Sequence, residues 1–275
     1  MIGLETNFIW FVIYSVIGWI CEVIFCSVRA KKLVNRGFLN GPYCPIYGAG
    51  VMLMITFLRG IENPIALFLA GALLTSTLEY VTSWTMEKLF HARWWDYSSN
   101  FLNINGRICL LGAFIFGSMS LIAVRLIHPV LVTYTSLLSD SAISLIAPVL
   151  FTLMLTDTIY TVTRLSAFEK KLKELSERLN HTFSALNERR VNERRKNLSL
   201  KRANHKLYTK KIEANMDLSK KINRQERRII KAFPKMRSVR YNEALEKVKQ
   251  FVHKNEKDEV RGVRTSDTGR EPRGK

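Results

Sequence analysis

The sequence predicts an all-α, polytopic helical membrane protein with about five transmembrane helices, its amino terminus outside and a basic helical tail in the cytosol. Three observations carry this. The composition is 47% hydrophobic, yet Lys and Arg number 42 against 23 acids, an imbalance unusual for a soluble domain. Apolar runs approach the roughly 20 residues needed to cross a hydrocarbon core of about 30 Å. The charge is also unevenly divided, with a net of +1 up to Thr163 and +18 beyond it. Residues 1–163 are therefore expected to form a transmembrane domain, 164–256 a basic, coiled-coil-like cytosolic tail, and 257–275 a disordered end too polar to bury a core.

The spans follow in order at 8–28, 43–58, 64–86, 108–127 and 142–162, the second being the shortest. Such runs recur with only short charged intervals, which disfavours buried helices of a large soluble protein. The first has no basic residue before it and no small-residue cleavage site, so it is expected to be retained as a span. Basic residues in short loops resist translocation. The first loop carries Arg29, Lys31, Lys32 and Arg36, the second only Arg59, the third Lys88, Arg93 and Arg107, and the fourth Arg125. This alternation keeps the odd loops and the tail inside and predicts a multi-pass protein of the cell membrane.

Between the first two spans lies NRGFLNGPYCPIYG, too rich in glycine and proline for a continuous helix. Irregular backbone at membrane depth is tolerated where protein buries it or where it lines a water-filled cavity. The segment is expected to enter the membrane as a broken element lining a polar vestibule. Asn35, Gly37, Asn40, Gly41, Pro42, Cys44, Pro45 and Gly48 are its key residues, with Gly37, Gly41 and Gly48 supplying unusual backbone angles and Pro42 and Pro45 interrupting the helix. The alternative is an interfacial loop that aims the second helix.

Three acids fall inside spans: Glu22, Glu79 and Asp157. An ionised group there is costly and normally faces protein or water. Arg36 and Arg107 are expected at the same depth, so Glu22, Arg36, Glu79, Arg107 and Asp157, joined by Glu87 and Asp96, are read as one charge-balanced cluster. Holding helices in register is the competing role for Glu22 and Glu79. The four cysteines show no metal-ligand spacing, and no metal or other cofactor is expected. Trp94, Trp95 and Tyr97 suit an interfacial segment with rings at headgroup level, the other possibility being that His91, Asp96, Asn100, Asn103 and Asn105 join the vestibule.

The blocks GW-x-x-E (Gly18, Trp19, Glu22), NRGFLNGPYCPIYG and EYVTSW-x-MEKLF…WWDY…N-x-NGRICL resemble the membrane-protein family described as putative ABC-transporter type IV, the CmpB-like permeases. The resemblance spans about residues 8 to 160 and implies a permease working with a separate ATP-binding subunit. The chain has no GxxxxGK[ST] of its own, so ATP hydrolysis by that route would come from the partner. A membrane-embedded enzyme acting on a lipid or headgroup, with Glu22 or Glu79 as acid or base, is the second reading. No nucleophile, metal set or cofactor loop names a reaction, and the catalytic residues of such an enzyme stay unassigned. A scaffold working through the basic tail is the third.

In the tail, Leu165, Phe168, Leu172, Leu175, Leu179 and Leu186 repeat at heptad-like spacing, which suggests either a homodimeric stalk or a single helix packed on its own protein. Pro234 is expected to end a second helix, and Tyr241, Leu245, Val248 and Val252 share the face of a third. The basic residues suit anionic lipid. With few interleaved aromatics and no recognisable motif, specific nucleic-acid binding is disfavoured.

Overall fold

The computed structural model describes residues 3–194 and 222–253. Contacts divide the chain into two units, the first made of Met1–Leu165 and Lys231–Arg237, the second of Ser166–Ile230 and Ser238–Lys275. The first unit holds α1 (Leu4–Ala30), α2 (Pro45–Leu58), α3 (Pro64–Phe90), the short strand β1 (Ala92–Arg93), α4 (Leu110–Ile122), a π-helical turn (Ala123–Ile127) and α5 (His128–Thr135). It also contains the start of α6 (Asp140–Arg194).

Four helical runs are long and apolar enough to cross a membrane: Leu4–Val28, Pro64–Phe90, Leu110–Thr135 and Asp140–His181. The protein is thus a helical membrane protein. α2 has 14 residues and reaches about 21 Å at 1.5 Å per residue, short of a hydrocarbon core of about 30 Å.

Helix ends have local causes. Asn63 caps α3, its Oδ1 accepting from the N–H groups of Ile65 and Ala66 at 2.8 and 3.1 Å, and Pro64 follows where a missing N–H costs nothing. α1 and α3 stop at left-handed residues, Lys31 (φ 51°) and His91 (φ 46°). Between helices, small residues permit close approach. A Cβ at Gly18 would overlap the Tyr47 side chain, and one at Gly48 would overlap the Phe11 carbonyl. Gly71 faces Ser120 and Gly117 faces Phe68 in the same way across α3 and α4.

The fourth span runs further than the expected stop at residue 127, and Arg125 is not a loop residue. The N–H of His128 reaches back to the carbonyl of Ala123, and this wider turn carries the helix past Pro129, which has no N–H to bond in the ordinary register. Arg125, inside the turn, donates to the carbonyls of Ile61 and Glu62.

In the second unit, Phe168, Leu172, Leu175 and Leu179 on the continuation of α6 are buried. So are Ile229 and Ile230 on α7 (Arg224–Ala232), and Ala244, Leu245, Val248 and Val252 on α8, residues 242–253. Asn223 and Glu226 form a reciprocal capping box at the start of α7, each side chain accepting from the other's N–H at 2.8 Å. Glu226 also meets Lys171 of α6 at 2.7 Å. α7 ends before Pro234. The side chain of Leu186 and the chain at 195–221 and 254–275, including the expected disordered end, lie outside the described residues. One piece of the expected tail behaves differently: Lys231–Arg237 groups with the first unit, where Phe233 and Met236 are buried.

Candidate functional site

The broken segment is non-helical from Lys31 to Cys44, after which Pro45 opens α2. Its anchors come from two helices. On α1, Trp19 donates its indole N–H to Asn35 Oδ1 at 3.3 Å, and the Ser15 carbonyl accepts from the N–H of Cys44 at 2.8 Å. On α6, Asp157 collects five donors. Oδ1 accepts from the backbone N–H of Asn40 (3.2 Å), the Asn40 amide (2.8 Å) and the Thr161 hydroxyl (3.2 Å). Oδ2 accepts from the N–H of Gly41 (2.9 Å) and the Tyr43 hydroxyl (2.7 Å).

Of the three glycines expected to supply unusual angles, only Gly37 does so, at φ 129°. Gly48 is a helical residue of α2 whose use is close packing. Pro42 lies in the irregular stretch, whereas Pro45 starts a helix instead of breaking one, as proline at the first helical position allows.

Behind the segment lies a cavity of about 490 Å³, lined by charged Glu22, Arg36 and Glu79 and by an otherwise mainly apolar wall that includes Phe38, Met54 and Trp94. Glu22 Oε2 stands 3.7 Å from Arg36 Nε, and the Cys44 thiol points at the same oxygen at 3.8 Å. The Arg36 guanidinium lies 4.6 Å from the centre of the Phe233 ring and donates to the carbonyl of Ala232. Phe233 in turn meets Trp94 edge-on at 5.1 Å. Glu79 Oε1 accepts from the Tyr97 hydroxyl at 3.2 Å. Burial raises the Tyr97 phenol, the neighbouring Glu79 adding to the effect, so the hydroxyl keeps its proton.

The remaining members of the expected cluster lie elsewhere, since none of Glu87, Asp96, Arg107 and Asp157 lines the cavity. Glu87 pairs with Arg107 at 2.9 Å and Arg93 at 3.2 Å, and Arg107 also donates to Ser83 at 3.1 Å. Helical rise explains the separation, because Glu87 sits eight residues, about 12 Å, along α3 from Glu79. Asp96 accepts from the Ser98 N–H at 2.9 Å and faces Arg237 at 3.4 Å. That backbone hydrogen bond is the main reason its carboxyl is held below the ordinary 3.8. The seven charged residues are thus distributed over separate contacts.

Trp94 is buried and, with Trp95 and Tyr97, lines the cavity. The turn after them is closed by Gly106 (φ 66°), whose N–H donates to Asn103 Oδ1 at 3.0 Å and whose carbonyl accepts from the Tyr97 N–H at 2.8 Å. Two further features escape a sequence reading. Phe233 enters from almost 200 residues away, with no periodicity to signal it. His128, beyond the expected end of its span, lies inside it and hydrogen-bonds Tyr14 at 3.2 Å, with Trp10 perpendicular to its ring at 4.8 Å. Pro129 masks that position as a loop.

A family model described as "Putative ABC-transporter type IV" matches residues 9–162. The chain belongs to this family. Glu22, Arg36, Glu79 and Asp157 lie within the part that matches the ABC-transporter type IV family, while Phe233 lies outside it. No curated protein and no solved structure matches the chain.

Proposed function

We propose that this protein is the membrane subunit of an ABC-type transporter, a permease in which the cavity beside Glu22, Arg36 and Glu79 is a cytosol-facing vestibule for solute. In this reading the chain crosses the cell membrane five times, amino terminus outside, with α2 and the broken segment completing one crossing together. A separate ATP-binding subunit supplies the energy, and the basic second unit rests on anionic lipid of the inner leaflet, attracted by about 1 kcal/mol per suitably placed Lys or Arg. The observation that carries the reading is a cavity of about 490 Å³, within the roughly 300–1,000 Å³ of small-molecule sites, lined mainly by family-matched residues and holding charge where lipid alone would exclude it.

The test is access. Single cysteines replacing Leu78 and Thr82, both on the cavity wall, should react with a membrane-impermeant thiol reagent applied from the cytosolic side and not from the outside. Complexes purified from native membranes should contain an ATPase in fixed ratio. Cavity cysteines inert from the cytosolic side would defeat the vestibule.

A further inference from the structure

The three charged groups on the cavity wall do not balance. Arg36 is spoken for, by Glu22 at 3.7 Å, by the Phe233 ring and by the Ala232 carbonyl. Glu79 is only 7% exposed, its hydrogen bond comes from the neutral Tyr97 hydroxyl, and no basic side chain forms an ion pair with it among the described residues. One carboxyl group is therefore left without a basic partner, among the described residues, on a wall whose other members include Phe38, Met54, Leu78, Phe90 and Phe116. An ionised carboxylate in such surroundings is stabilised by a cation brought close to it. Aromatic faces attract the same charge, and methionine adapts to apolar bodies of irregular shape.

We propose that the cavity binds an amphipathic monocation, an organic amine or onium group set against Glu79 with its apolar body among the aromatic and methionine side chains. This deepens the permease reading by naming its solute class, and it rests on the cavity being the solute site. An anion is disfavoured, since Arg36, the only cation in the wall among the described residues, is already engaged.

The experiment uses the full chain in lipid nanodiscs with radiolabelled tetraphenylphosphonium, and tetraphenylborate as the probe of the same shape and opposite charge. Saturable phosphonium binding is expected at one site per chain, weakened about tenfold or more in Glu79→Gln and retained in Glu79→Asp. Tetraphenylborate should show only non-saturable partition into lipid. Should Glu79→Gln fail to fold, Thr82→Trp, which fills the cavity, should abolish phosphonium binding. Equal saturable binding of both ions, no saturable phosphonium binding, or unchanged binding in either variant would overturn the proposal. Saturable cation binding by a protein that never purifies with an ATPase supports the solute class and counts against the permease. Cavity cysteines labelled from the cytosolic side, in a chain that binds no cation, overturn the class and leave the vestibule standing.

Discussion

At the scale of single residues, Asp157 shows how one carboxylate organises backbone that no secondary structure supports. Five donors converge on it, two of them backbone N–H groups of the broken segment. Each such bond to an ionised acceptor contributes about 1.5–3 kcal/mol. Asp157→Asn puts an amide NH₂ either where Gly41 and Tyr43 donate or, flipped, where the Asn40 groups donate. The segment should then open locally, and the buried Cys44 should react with a small maleimide about ten to a hundred times faster than in the parent protein. An unchanged labelling rate would show that Asp157 does not hold the segment. The sequence marked Asp157 as an intramembrane acid needing a partner; that its partners are hydrogen-bond donors and not an arginine depends on which groups the turn of the segment aims at it.

At the scale of elements, the contact of α1 with α2 depends on glycine more than on hydrophobicity. Gly18 and Gly48 lie where each helix meets the other, and at Gly48 the obstacle to a side chain includes the Phe11 backbone, which cannot rotate away. Gly48→Val should therefore separate the pair and destabilise the first unit by about 1–3 kcal/mol, read as a lower midpoint of thermal aggregation in detergent. Gly3→Val, with nothing within 4 Å of the added Cβ, is the control and should be neutral. An equal midpoint for Gly48→Val would refute the close-packing role. The helices themselves were legible from apolar run length. The exception is the fourth span, where Pro129 reads as a stop because sequence alone does not reveal that a π-turn will absorb it.

At the scale of the whole molecule, the cavity is completed by a residue far from the family-matched core. Phe233 lines it, stacks under Arg36 and meets Trp94, while Arg237 pairs with Asp96 at 3.4 Å and opens a two-residue strand beside β1. If this segment covers the cavity, Phe233→Ala should raise the labelling rate of a Thr82→Cys cavity cysteine several-fold, without changing its sidedness. A rate equal to that of Thr82→Cys alone would mean that Phe233 covers nothing. The same scale bears on the leucine stripe of α6, since Phe168, Leu172, Leu175 and Leu179 are already buried within a single chain. Dimerisation through them would require those contacts to open.

The sequence by itself determined what can be counted along one dimension: helices of membrane length, the break after the first of them, the division of charge near Thr163, the family blocks, and the acids that needed company. Only the tertiary structure decided the company. It set Glu22 beside Arg36 and Glu79 beside Tyr97 on one cavity, moved Glu87 and Arg107 about two helical turns away, and gave Asp157 to the broken segment. It also brought Phe233 back to the first unit. The physical reason is that desolvation is legible from local composition, because it depends on the run of residues around a group. Pairing depends on directions and distances set by helix crossings, glycine contacts and a single π-turn, which no local window contains.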